Sequence, residues 1–179
     1  MENNLFSLQT TLRASFELSG IGVHSGRPAA VKVLPAEGGG IRFRRTDQAG
    51  VVIPAHAAAV ASTPRSTVLQ RHGVSIATTE HLLAALWSMG VDHAEVVAAS
   101  EELPILDGSA QDYARAIQGV GLRRLSEPRR PLALSAPAWV RAGEAHILAL
   151  PAPRLRVCYV LEYSHPMVGT QVVDFDVSP

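Results

Sequence analysis

Cysteine is almost absent: Cys158 stands alone among 179 residues, so neither a disulfide framework nor a cysteine zinc site can be built from this sequence. Its apolar setting, Val157-Cys158-Tyr159-Val160, predicts a buried core thiol. Lysine is as scarce, Lys32 being the single example, and nearly all positive charge is arginine. Arginine suits phosphate or carboxylate grip, although a biased composition explains it more simply. Excess charge of either sign is missing, with 16 basic and 16 acidic side chains. That balance excludes the one-sided positive field that nucleic acids and anionic membranes select, and favours a small-molecule partner. No stretch approaches the roughly 20 apolar residues that span a bilayer. The opening, Met1 to Thr10, has neither a basic leader nor a long apolar run, so a soluble cytoplasmic protein is expected.

What is present is enough apolar material, 47% of residues, for one good core and the start of another. The first half reads as short strands: Leu8 to Leu18, Ala29 to Leu34, Ile41 to Arg45, Ala55 to Ala61, Ser66 to Leu69 and Val74 to Ala77. Val31 and Val33 flank Lys32, and Ile41 and Phe43 flank Arg42, the period-two alternation of half-buried strands. Gly38-Gly39-Gly40 predicts a hairpin connection. Thr78 and Thr79 offer hydroxyl caps for a helix from about Thr79 to Met89, stopped by Gly90. A strand at His93 to Ala99 and a second helix, capped by Ser109 and running through Tyr113 and Ile117, complete an α+β fold. The expected architecture is a two-layer domain, a mixed or antiparallel sheet packed on two helices, over residues 1–126. Residues 127–179 would be a linker, Ser126 to Pro131, and the incomplete start of a second domain. There a hairpin turning at Gly143-Glu144 and a strand from Leu155 to Glu162 are offered without a covering helix.

The most pointed local feature is Glu80-His81 at the opening of the first helix. Unpaired amides and the helix dipole favour anionic groups there, and imidazole can hold a metal through one nitrogen. Neighbouring helical positions lie about 100 degrees apart, so one metal beyond the helix end could meet His81 while Glu80 reaches its water. On spacing alone, a capping glutamate beside an incidental histidine remains the stronger reading. His24 sits in the loop Gly20-Ile21-Gly22-Val23-His24-Ser25-Gly26, where backbone can approach a ligand, or simply turn in solvent. Arg65, Ser66 and Thr67 follow Pro64 and serve equally as site groups or turn residues. Asp107-Gly108-Ser109 reads first as a turn feeding a helix cap, and His56, His72, His93, His146 and His165 show no metal-ligand spacing.

Taken together, the glycine loop around His24, Thr63-Pro64-Arg65-Ser66-Thr67, Thr79-Glu80-His81-Leu82-Leu83-Ala84-Ala85-Leu86 and Leu103-Pro104-Ile105-Leu106-Asp107-Gly108-Ser109-Ala110 resemble UDP-3-O-acyl-N-acetylglucosamine deacetylase, in the family's order. The resemblance runs from about Gln9 to Val177 and covers the N-terminal portion of such an enzyme. It implies removal of the acetyl group from a UDP-linked acylated amino sugar, the committed step of lipid A synthesis in Gram-negative bacteria, with zinc as cofactor. It implies that His81 is a zinc ligand and Glu80 the catalytic base, with His24, Arg65, Ser66 and Thr67 on the substrate side. The resemblance also implies two similar domains with their helices packed together. The family's other zinc ligands lie in a His-Lys-x-x-Asp stretch of the second domain, and that stretch does not occur here. The expectation is therefore a truncated form, inactive alone, that self-associates through an uncovered helix face made by Leu82, Leu86 and Ile117. The alternative is a catalytically inactive binding or complementation module that pairs with a separate second half.

Overall fold

The computed structural model describes residues 8–177, so the leader reading at residues 1–7 lies outside it. Chain contacts divide it into two units, one ending at Arg129 and the other beginning at Arg130. The first holds ten strands and two helices: β1 (Leu8–Leu12), β2 (Phe16–Ile21), β3 (Pro28–Pro35), β4 (Ile41–Arg45), β5 (Val51–Pro54), β6 (Val60–Ser62), β7 (Val68–Arg71), β8 (Val74–Ile76), α1 (Glu80–Ser88), β9 (Ala94–Ala98), α2 (Gln111–Val120) and β10 (Leu122–Pro128). Five strands form a mixed sheet in the order β2-β3-β9-β4-β5, parallel only between β4 and β9. β6, β7 and β8 form a small antiparallel sheet, and β1 pairs with β10.

The alternation read from the sequence sorts the main sheet into two faces. Val33 and Phe43 both lie opposite Val96, and Phe43 lies opposite Ile53. All four join one core with Leu82, Leu86, Tyr113 and Ile117 of the helices. The opposite set of side chains is charged: Lys32 pairs with Glu17 at 2.6 Å, and Glu95 takes both Arg44 and, at 3.3 Å, Arg42. A sheet with one apolar and one ion-paired face, covered by two helices, is the α+β layer pair expected.

Ion pairs also predict how this unit meets acid. Hydrogen bonds from Arg44 hold the Glu95 carboxyl below its ordinary 4.5, and those from Arg45 hold Asp47 below 3.8. The folded state thus binds fewer protons than the unfolded chain at low pH. The stability these groups contribute is fully present above their ordinary values and lost as pH falls through the lowered ones. Urea midpoints should be level between about pH 7 and 5 with respect to these carboxylates and drop below about pH 4. Asp47→Asn should flatten part of that drop, and an unchanged acid slope in the variant would contradict the assignment.

Several local expectations give way to tertiary pairing. The strand expected from Leu8 to Leu18 is broken at Arg13, whose amide bonds Gly121 O at 2.9 Å, so β1 departs to pair with β10. Gly38-Gly39-Gly40 is no hairpin, because β9 lies between β3 and β4; the glycines carry the chain across, with φ of 81° and 72° at Gly39 and Gly40. In the Ala55 to Ala61 stretch, Ala57–Ala59 form a 3-10 turn whose Ala58 amide donates to His56 Nδ1 at 3.1 Å, and only then does β6 begin. β10 persists to Pro128, inside the stretch expected to be linker.

The second unit consists of two hairpins. β11 (Ala138–Ala142) and β12 (Ala145–Ala149) turn at Gly143-Glu144, with Gly143 at φ 60°. β13 (Arg156–Glu162) pairs with β14 (Thr170–Asp176), strapped by Arg156 to Asp174 at 2.5 Å. Apolar side chains stay open to solvent, Trp139 at 74% exposure among them. Cys158 is exposed as well, not a buried thiol, because no described residue covers the face of β13 that carries it.

Candidate active site

α1 forms because Leu82, Ala85 and Leu86 recur at helical spacing and all three bury, while Gly90 at φ 78° supplies the stop. Leu82, Leu86 and Ile117 are fully buried, so the helix face expected to lie uncovered is the core of this unit, filled by the sheet. Self-association through those side chains has no surface to act on. The large apolar side chain that α1 exposes is instead Trp87.

At the other end of the helix, Glu80 and His81 present partly open side chains, 35% and 26% exposed, with Glu80 Oε1 4.0 Å from His81 Nε2. The second oxygen, Oε2, accepts the backbone amide of Thr67 at 2.9 Å. Thr79 Oγ1 donates to Thr67 O at 3.0 Å rather than capping the helix. The segment after Pro64 is thus laced to the helix start through its backbone, and it orients the carboxylate. Arg65 is exposed and left-handed at φ 60°.

Thr78, just before this turn, is 2% exposed and holds φ 59°. For a β-branched residue that is strained backbone, of order 1–3 kcal/mol. Its hydroxyl donates to Glu102 Oε1 at 3.2 Å. Glu102 also accepts the amides of His24 at 2.9 Å and Ser25 at 2.8 Å, so one buried carboxylate joins the glycine loop to the residue that begins the helix turn. Burial pushes the Glu102 pKa up, but the His24, Ser25 and Thr78 hydrogen bonds outweigh it and hold the carboxyl below its ordinary value. Sequence reading missed Glu102. It lies 78 residues from His24 along the chain, and only its carboxylate type beside an apolar run hinted at a role.

The other polar motifs serve local structure, although Ser109 is not the cap expected for α2: the N-cap position is Ala110, without a side-chain cap hydrogen bond. Asp107 accepts the Ser109 amide at 2.9 Å and Ser109 Oγ accepts the Gln111 amide at 3.0 Å, a turn feeding α2. His93 Nδ1 accepts the Gly40 amide at 2.8 Å, which leaves the proton on Nε2, 2.8 Å from Gln9 Oε1. The chemistry of the pair Glu80 and His81 fits a metal and its water. Its donor count is short of a full set: among the described residues, no group of three histidines, cysteines, aspartates or glutamates could hold a metal ion.

Within this α+β framework the start of α1 sets a carboxylate beside an imidazole, groups that metal-assisted hydrolysis can use. Residues 9–179 match the family described as LpxC: UDP-3-O-acyl N-acetylglycosamine deacetylase, and the chain belongs to it. Similar proteins include UDP-3-O-acyl-N-acetylglucosamine deacetylases of Thermosynechococcus vestitus, 40% identical over 95% of this chain and 60% of the relative, and Geotalea uraniireducens, 37% identical over 92% and 54%. That of Myxococcus xanthus is 39% identical over 94% and 54%. The chain therefore spans little more than half the length of these relatives.

Proposed function

We propose that this chain supplies the front part of a zinc-dependent amidohydrolase site that removes the N-acetyl group of UDP-3-O-acyl-N-acetylglucosamine in lipid A synthesis. The observation that carries the reading is Glu80 Oε1 4.0 Å from His81 Nε2 on adjoining helix positions, with the other carboxylate oxygen fixed by Thr67. His81 would hold zinc, which when bound polarises the amide carbonyl and lowers the pKa of water. Glu80, held in one orientation, accepts the proton of the attacking water as it adds to the acetyl carbon. Acetate and a free amine result when the C–N bond breaks and the nitrogen gains a proton. His24, Arg65, Ser66 and Thr67 contribute polar contacts on the substrate side. The reading places the work in the cytoplasm, in keeping with the absence of any described helix long and apolar enough to cross a membrane.

One ligand does not hold a catalytic zinc, and no group of three among the described residues completes the set, so the remaining ligands come from outside those residues, on the same polypeptide or on a companion. The chain alone should bind zinc weakly and release no acetate from the substrate. Mixed with a relative's second half bearing His-Lys-x-x-Asp, it should hold about one zinc per complex and release acetate in a chelator-sensitive manner. A zinc-loaded complex that leaves the substrate intact would overturn the deacetylase reading. Full activity of the chain alone would overturn the claim that ligands are missing. The reading as a complementation module without chemistry of its own predicts tight pairing with that second half but no turnover at any zinc concentration.

A further inference from the structure

Glu102 does more than fill a buried position. The backbone on either side of it is strapped to Ala77: the Ala77 amide donates to Glu101 O at 2.8 Å, and the Leu103 amide donates to Ala77 O at 3.1 Å. The carboxylate is therefore fixed relative to Thr78, whose hydroxyl it accepts. On its other side it accepts two successive loop amides, those of His24 and Ser25. Gly22 lies so close that a Cβ there would stand 2.3 Å from Glu102 Oε2 and 2.4 Å from Ser25 Oγ. The loop can approach the carboxylate this nearly only because residue 22 has no side chain. At 3% exposure, water does not replace these partners.

We propose that Glu102 is a positioning residue, a buried carboxylate that locks the loop carrying His24 to the strained Thr78 turn and so sets His24 in place relative to Glu80 and His81. The proposal rests on the reading of Glu80 and His81 as a hydrolytic pair, but its structural half can be tested without activity. Glutamine at position 102 keeps the shape and replaces one acceptor oxygen by a donor that faces an N–H or O–H donor. The lock then loses a charge-assisted partner while the packing stays.

Hydrogen exchange on the 179-residue chain with Glu102→Gln is the first measurement. The amides of His24 and Ser25 should exchange about tenfold faster or more, with those of β3 and β9 unchanged. Gly22→Ala, which attacks the lock from the loop side, should give the same local pattern, and the double variant should show less than the sum of the two effects. In the zinc-loaded complex with a second half, E102Q should lower kcat about ten- to a hundredfold at unchanged zinc content and with little change in KM. Unchanged exchange at His24 and Ser25 would overturn the lock. Loss of protection spread evenly over β3 and β9 would overturn it too, since Glu102 would then only support the core. Local loosening with full kcat would overturn its effect on the site. Local loosening in a chain whose wild-type complex never releases acetate would leave the lock standing and sink the deacetylase reading instead.

Discussion

Replacing Glu80 by glutamine is expected to lower acetate release by about 10²- to 10⁴-fold, the range that a positioned general base contributes. The measurement belongs in the complex that carries the full ligand set, with zinc content followed in parallel. Glutamine retains an oxygen for the Thr67 amide, which Glu80 Oε2 now accepts at 2.9 Å, so the helix start should keep its geometry. It cannot take a proton at neutral pH. Zinc should therefore remain while turnover falls, and His81→Ala should do the reverse, losing zinc first. A Glu80→Gln complex with undiminished kcat would remove Glu80 from the chemistry and return it to the role of a helix-end carboxylate.

The largest effect on stability is expected at Phe43. It is fully buried, lies opposite Val96 on one side and Ile53 on the other, and so joins three strands of the main sheet. Phe43→Ala should cost about 3–5 kcal/mol, from lost transfer energy and the cavity left behind. Against a total of roughly 5–15 kcal/mol for a domain, that is enough to leave the first unit marginal. Native-state exchange of β3 and β9 amides reads this unit without interference from the hairpins beyond Arg129. Trp139→Ala serves as the comparison: an aromatic of similar bulk, but 74% exposed, whose loss should change the same amides by less than about 0.5 kcal/mol. Equal effects of the two substitutions would mean that burial in the described fold does not set the stability of the first unit.

How much of this was legible from residues can be judged element by element. Ile41 to Arg45 was readable to the residue because its alternation matches a pleat whose two faces meet different surroundings, core on one and Glu95 on the other. α1 was readable because its buried side chains repeat at helical spacing and a glycine ends it. β5, β10 and β14 were not foreseen. β10 is mostly exposed and carries Arg123, Arg124 and Glu127, so its strand form is imposed by pairing with β1 rather than by a pattern of its own. The break at Arg13 has the same cause, a hydrogen bond to Gly121 more than a hundred residues away.

The sequence by itself determined the type of fold, the Glu80-His81 pair at a helix start, and the kinship carried by its four motif blocks. These rest on local periodicity and on contiguous residues, which need no knowledge of what lies across the core. Tertiary structure decided which strands are neighbours, with β9 set between β3 and β4, and which apolar side chains are covered, with Leu82, Leu86 and Ile117 inside and Cys158 outside. It also brought Glu102 to His24 and Thr67 to Glu80. Hydrogen bonds and burial join residues by distance in space, and a distance closed by folding leaves no mark in the order of the residues along the chain.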